Sequence, residues 1–335
     1  MVALDNIKQK TLKKFIEENE FSSFDTEIDF SKIIYELLNT SLMIEAKVRR
    51  AGINNILGTT GRINIHGDTV RKIDDYANDI IIKNLSNTGL ICAMISEESE
   101  ELVTLLDKTC RGKYIIAFDP LDGSTNFDVN GTLGTIFSIY KRLDTHSNAT
   151  ITIEDALQPG ISQIAAGYII YSGSTILVFT TGNGVHSFTY DPQSDEFLLT
   201  NDNIRIPERG WYYSCNEANY FKWDARVRKF IDDLKNPPTG ESCKLRYYAT
   251  SAADIHRTML YGGIYLFPAE NDKPNGKLRL FYEANPLAMI IEQAGGRASD
   301  GRNRILEITP ESIHQRTPLF IGSPENVKDI ENIKF

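Results

Sequence analysis

The apolar run Tyr114-Ile115-Ile116-Ala117-Phe118 passes directly into Asp119-Pro120-Leu121-Asp122-Gly123-Ser124-Thr125-Asn126-Phe127. That junction constrains the fold more than any other stretch of the chain. The run reads as a buried strand. Pro120 is expected to stop it and force a turn, because proline cannot donate to a strand ladder. Asp119 and Asp122 then stand together at a strand end. Behind them Gly123-Ser124-Thr125 makes a tight turn whose backbone N–H groups can converge on an anion. Carboxylates hold hard cations, and converging N–H groups hold phosphate. The combination points to metal-assisted phosphate ester chemistry, whereas Asp-x-x-Asp-Gly alone is an ordinary turn.

The chain has 335 residues, enough for one large domain or two halves. With 41% hydrophobic and 24% charged residues it has the composition of a soluble globular protein. A net charge of −9 argues against a nucleic-acid partner but not against a phosphorylated ligand, for which a few local cations suffice. The opening MVALDNIKQKTLKKF has no apolar h-region and reads as an amphipathic helix. Residues 156–185 lack Asp, Glu, Lys and Arg, yet their Pro, Gly, Ser and Thr content reads as a buried sheet and not as a membrane span. Cys92, Cys110, Cys215 and Cys243 show no metal-binding spacing, and a reducing cytoplasm is the simplest expectation.

Apolar periodicity predicts a helix over 31–50, and the glycine-spaced stretch 52–67 a mobile loop. Asp68 is expected to N-cap a helix with the stripe Val70, Ile73, Ala77, Ile80 and Ile81. Strands are expected at 91–95 and 114–118, with a β-rich run over 133–200. Beyond 210 come helices near 224–235, 252–260 and 286–294 and strands near 263–267, 278–283 and 318–322. The pattern is that of a layered α/β protein in two halves, 1–205 and 206–335.

Further carboxylates join the pair. Glu97 and Glu98 follow the apolar run Leu90–Ile95, so they sit at a second strand end; Glu100 and Glu101 make a solvated charge run the competing reading. Asp74 lies beside the apolar helical stripe, where a carboxylate needs a partner and its pKa rises; alone, it would be read as a surface Asp pairing with Arg71 or Asn78. Glu283 precedes Ala284-Asn285-Pro286, in which Asn285 reads as an N-cap and Pro286 as the first helical position.

The nonapeptide resembles the signature of the lithium-sensitive, magnesium-dependent phosphatase superfamily. Further ordered segments narrow the likeness: Gly67 through Asp74, Ser96-Glu97-Glu98, Arg111 through Tyr114, Asp155 through Gly160, Ala253 through Arg257, and Gly276 through Pro286. Over nearly its whole length the chain resembles class I fructose-1,6-bisphosphatases. The resemblance implies an αβαβα sugar-phosphatase fold. It further implies a first half of regulatory type that carries most metal ligands and a second half that binds the sugar phosphate. It implies hydrolysis of the 1-phosphate of fructose 1,6-bisphosphate, a step of gluconeogenesis. Glu97, Asp119, Asp122, Glu283 and the Leu121 carbonyl would ligate about two to three Mg2+ or Mn2+ ions per subunit, the hard cations that all-oxygen donors favour. Asp74 and Glu98 would activate water, and Asp68 would approach on loop closure. The Gly123 and Ser124 N–H groups would hold the 1-phosphate. Asn216, Tyr247 and Lys277 would bind the 6-phosphate and sugar, with Tyr220 or Asn219 and Arg279 beside them. Arg246 would reach into a neighbouring subunit of a homotetramer.

Departures cluster near the sugar. Phe267 stands where the family usually has a Tyr, and Ser251 replaces an apolar residue, for a smaller and more polar wall. A sedoheptulose-1,7-bisphosphatase or a dual-specificity enzyme is therefore a second reading. A catalytically dead sugar-phosphate sensor is a third, but it would be expected to have lost ligands, and none is lost. AMP-inhibited relatives carry a Thr-Gly-Glu-Met-Thr turn where this chain has Glu27-Ile28-Asp29-Phe30-Ser31, and Lys141 stands where they have an Arg. Weak or absent AMP inhibition is expected.

Overall fold

The computed structural model describes residues 10–19, 26–53, 56–63, 69–105, 112–143, 151–238 and 240–333. An eight-stranded sheet forms the middle of the first half. Its strands, in spatial order, are Glu196–Asn201, His186–Asp191, Thr175–Thr180, Gln163–Tyr171, Leu133–Lys141, Tyr114–Asp122, Ile91–Ser96 and Val103–Thr104. All neighbours are antiparallel except Ile91–Ser96 and Tyr114–Asp122, which run parallel and therefore bring Glu97 and the Asp119 region to the same end. A smaller five-stranded sheet belongs to the second half: Lys244–Leu245, Tyr212–Ser214, Ile264–Phe267, Leu319–Gly322 and Arg297–Ser299.

The apolar-on-both-faces strands explain the layering. In Tyr114–Asp122, Ile116 and Phe118 pack against Phe30, Leu37, Ile73 and Ile81 of the helices Glu27–Val48 and Lys72–Ser86. In the neighbouring strands Ile136, Tyr168 and Val178 face the helices Ser251–Tyr261 and Asn285–Gln293, which also cover the smaller sheet. Beyond that sheet lie the helices Ala225–Lys235 and Pro324–Asn332, joined to it through Phe230, Ile231, Leu266 and Val327. The succession is α, β, α, β, α, as the resemblance implied. Within 156–185 the strands Gln163–Tyr171 and Thr175–Thr180 are indeed largely buried sheet, and among the described residues no helix is long and apolar enough to cross a membrane.

Several local expectations change. Pro120 does not end its strand: the strand runs to Asp122, and Thr135 donates to the Pro120 carbonyl at 2.9 Å. Proline is accommodated by a bulge, since Asp119 opposes Ile136 while Asp122 opposes Gly134. Within 52–67, Thr59–Ile63 is no loose loop but pairs antiparallel with Thr69–Arg71. The following helix starts at Lys72, so its N-cap is Arg71 and not Asp68, which lies outside the described residues. The strand expected over 278–283 is only Leu278–Arg279; Leu280–Ala284 forms a π-turn that runs into the helix, so Asn285 is inside the helical path and does not cap it. The expected N-terminal helix is described from Leu12 to Glu18, where Leu12, Phe15 and Ile16 are buried; residues 1–9 lie outside the described set.

Candidate active site

The bulge decides where the carboxylates point. On a regular strand, residues three apart face opposite sides. Here the extra residue turns both Asp119 and Asp122 away from the Phe118 and Leu121 side, where those two pack into the helical layer. Asp119 Oδ1 accepts from the Leu121 N–H at 2.9 Å, and Asp122 Oδ2 from the Ala252 N–H at 2.7 Å. Glu283 arrives from the π-turn, its Oε2 accepting the Arg279 N–H at 2.7 Å. Glu97 is fixed by its own N–H, which donates to the Phe118 carbonyl at 3.2 Å.

These four acids line one cavity of about 430 Å3, together with Asp74, Glu98, Arg71, Leu121, Gly123 and Ser124. Glu97 and Glu98 are half-buried there while Glu100 and Glu101 are exposed, so the acidic run divides between site and solvent. Asp74 is 4% exposed and not a surface acid. It accepts from the Arg71 N–H at 2.9 Å and hydrogen-bonds Ser124. The side chains expected to pair with it at the surface have other partners: Ser96 donates to Asn78 at 2.6 Å, and the Arg71 guanidinium pairs with Asp128.

Burial and crowding push the acids up. Asp119 rises well above the usual carboxylate range, first through burial and then through repulsion from Glu97, Asp122 and Glu283. Glu283 rises for the same reasons, with Arg279 opposing. Burial lifts Asp122 to about 7 against the pull of the Ala252 and Ser251 N–H groups, and lifts Asp74 to about 6 against the Arg71 N–H and Ser124. Among the described residues no group of three or more acids, His or Cys stands in ready ligating geometry. The donor set is nevertheless all oxygen, buried and deficient in positive charge, which suits a hard divalent cation.

Gly123 adopts the left-handed φ of +76°, and a Cβ there would meet Thr250 Oγ1 at 2.2 Å. It opens the short 3-10 helix Ser124–Val129. Asn126 ties this turn to the second half by donating to the Tyr248 carbonyl and to Thr250 Oγ1, both at 3.0 Å.

The sugar-side residues are only partly assembled. Asn216 and Asn219 share a small cavity with Phe267 and Glu270. Lys277 pairs with the buried Glu270, which also lies 3.7 Å from Lys222. Tyr247 is 37% exposed, and Arg246 is exposed beside it. Tyr220 is turned away, donating to Asp232 at 2.7 Å, so Asn219 is the residue on the cavity side. Arg279 is buried, its guanidinium donating to the Lys277 carbonyl and its charge acting on Glu283, so it stands beside the acid cluster. The Ser251 hydroxyl is buried and bonded to Tyr265 at 3.0 Å, so it adds little polarity to a sugar wall. Sequence reasoning missed Glu270 and Thr250: nothing in Pro268-Ala269-Glu270-Asn271 marks a buried acid, and Thr250 matters only through its packing on Gly123.

A layered α/β scaffold with an acid cavity beside a turn of backbone N–H groups is that of a phosphate-handling enzyme. Residues 10–202 match the family model described as Fructose-1-6-bisphosphatase, N-terminal domain, and residues 206–335 the corresponding C-terminal domain. The chain belongs to the fructose-1,6-bisphosphatase family. Among relatives, Fructose-1,6-bisphosphatase class 1 of Oleidesulfovibrio alaskensis is 47% identical over 310 residues, 91% of this chain and 92% of that one. The cytosolic fructose-1,6-bisphosphatase of Oryza sativa is 41% identical, covering 96% of this chain and 94% of that one. The crystal structure of Leishmania major fructose-1,6-bisphosphatase in holo form superposes with a TM-score of 0.89 at 38% identity, covering 96% and 98% of the two chains.

Proposed function

We propose that this chain hydrolyses the 1-phosphate of fructose 1,6-bisphosphate to give fructose 6-phosphate and phosphate. The observation that carries the reading is the convergence of Glu97, Asp119, Asp122 and Glu283 on one cavity with Asp74 and the Gly123–Ser124 turn. The substrate follows from family membership over both halves.

The residues divide the work by their chemistry. Glu97, Asp119, Asp122, Glu283 and the Leu121 carbonyl would hold Mg2+ or Mn2+, as their buried oxygen donors fit such ions. When bound, the ions supply the positive charge that allows an anionic ester to meet a nucleophile. Asp74 and Glu98 are placed to accept the proton of the attacking water, with Asp74 tuned upward by burial toward the range a base needs. The Gly123 and Ser124 N–H groups hold the phosphoryl group as it passes to that water. Asn216, Tyr247 and Lys277 form the cradle for the 6-phosphate, completed by Arg246 of a neighbouring subunit in a homotetramer. Asp68, by the family likeness, would supply a further carboxylate to the metal ions. A cytoplasmic setting, two functional halves at 1–205 and 206–335, and a place in gluconeogenesis complete the reading.

Asp119→Asn and Glu97→Gln test it. Each should lose nearly all turnover with Mg2+ present while circular dichroism and melting behaviour stay native. Wild-type-like rates in either variant would refute the assignment. Sedoheptulose 1,7-bisphosphate, assayed side by side, should be the poorer substrate.

A further inference from the structure

We infer that Tyr212 is a positioning residue for Arg246. This rests on the reading that Arg246 contacts the substrate's second phosphate. Arg246 is exposed on a strand edge, and an exposed arginine loses side-chain entropy whenever it is held to one task. Its guanidinium lies 5.9 Å from the centroid of the Tyr212 ring, and its Nη1 donates to the Leu245 carbonyl at 2.7 Å. Those two contacts restrict the fork without using a carboxylate, so its charge stays available to an anion.

The ring is itself held. Arg257 places its guanidinium 4.6 Å from the same Tyr212 centroid and 5.0 Å from that of Tyr261. Tyr212 and Tyr261 meet edge to face at 6.1 Å. Among the described residues Arg257 makes no ion pair, and its Nε is buried without a hydrogen-bond partner, so these π faces are its setting. Register adds to the fit: Tyr212 and Tyr213 lie in a strand paired in parallel with Lys244 and Leu245, and the Arg246 N–H donates to the Tyr213 carbonyl at 2.9 Å. The backbone that carries Arg246 is thus hydrogen-bonded to the strand that carries the ring.

Tyr212→Leu removes the π face, and Tyr212→Met fills the place with an unbranched chain as a companion. Tyr212→Phe keeps the face and loses only the hydroxyl. Steady-state kinetics with fructose 1,6-bisphosphate should show KM raised about two- to fivefold for Leu and Met, the size of an exposed cation–π contact, with kcat nearly unchanged. Tyr212→Phe should behave as wild type. In an Arg246→Ala background, Tyr212→Leu should add no further rise in KM. An equal rise in that background would mean a general loosening of the face and overturn the inference. An unchanged KM in Tyr212→Leu, with a raised KM in Arg246→Ala, would overturn it too while leaving the role of Arg246 intact. An unchanged KM in Arg246→Ala would instead remove the reading beneath it.

Discussion

Asp74 is buried in the first turn of its helix, yet as the proposed base it would have to be ionised to take a proton from water. Its folded pKa of about 6 against an ordinary 3.8 sets the sign of the cost. Between those values the folded state binds the proton more tightly than the unfolded state. The fold therefore gains stability as pH falls through 6, and carries the full cost of the charge above it. Asp74→Asn should accordingly abolish most turnover and, in ion-free protein at pH 7–8, raise stability by about 1–3 kcal/mol. Thermal melts in chelator, run at several pH values, would check this. A stabilisation that persists unchanged at pH 4 would show that the gain has another source. In the metal-loaded wild type the neighbouring cations oppose the rise of the Asp74 pKa, so the rate should decline only as pH falls below about 6.

Elements formed where periodicity was strong and shifted where tertiary contacts overrode it. The helices over 27–48, 225–235 and 251–261 and the strand over 91–96 lie within a few residues of where apolar spacing put them. Pro120 could not be read locally, because its bulge depends on Thr135 across the ladder. Glu283 was legible as an acid at a strand–helix junction, but not the π-turn that delivers it. Glu97, Glu98 and Asp119 stood out because they follow apolar runs, whereas Asp74 was marked only by its place beside a helical stripe. Lys277 and Arg279 did not reveal their partners, since Glu270 and Glu283 approach them through loops and turns without a repeating pattern. One element-level departure has a regulatory reading. At the start of the helix Glu27–Val48, Asp29 accepts from Lys113 at 3.1 Å and from Tyr114 at 2.9 Å. By the same resemblance that sets Glu27–Ser31 against the AMP turn, Lys113 and Tyr114 would match the nucleotide pocket, and here an internal carboxylate engages both. With Ile28 exposed at 64% where those relatives carry a glycine, AMP should inhibit weakly or not at all. Cooperative inhibition at micromolar AMP, about −8 kcal/mol of binding, would contradict this.

At the scale of the whole molecule, the proposed subunit exchange is the most direct test. If Arg246 acts across an interface, Arg246→Ala should raise KM far more than it lowers kcat, as lost uniform binding does. Hybrids of Arg246→Ala subunits with Asp119→Asn subunits should then regain low-KM activity, because some sites combine an intact acid cluster with a neighbour's intact arginine. Verified hybrids without rescue would place Arg246 within its own site or outside catalysis. The acid cluster makes a different demand on the assembly of layers, and it is one of parity. Between Asp119 and Asp122 the strand counts three where its neighbour counts two. That odd step lets Leu121 feed one helical layer while both acids answer to the Ala252 and Glu283 side. A chain shortened by one residue here could keep every layer and most of its core. It would nevertheless send one carboxylate into the apolar layer behind the sheet. Side chains around this strand can therefore change more readily than its length, since an insertion or deletion within it would cost the site a carboxylate.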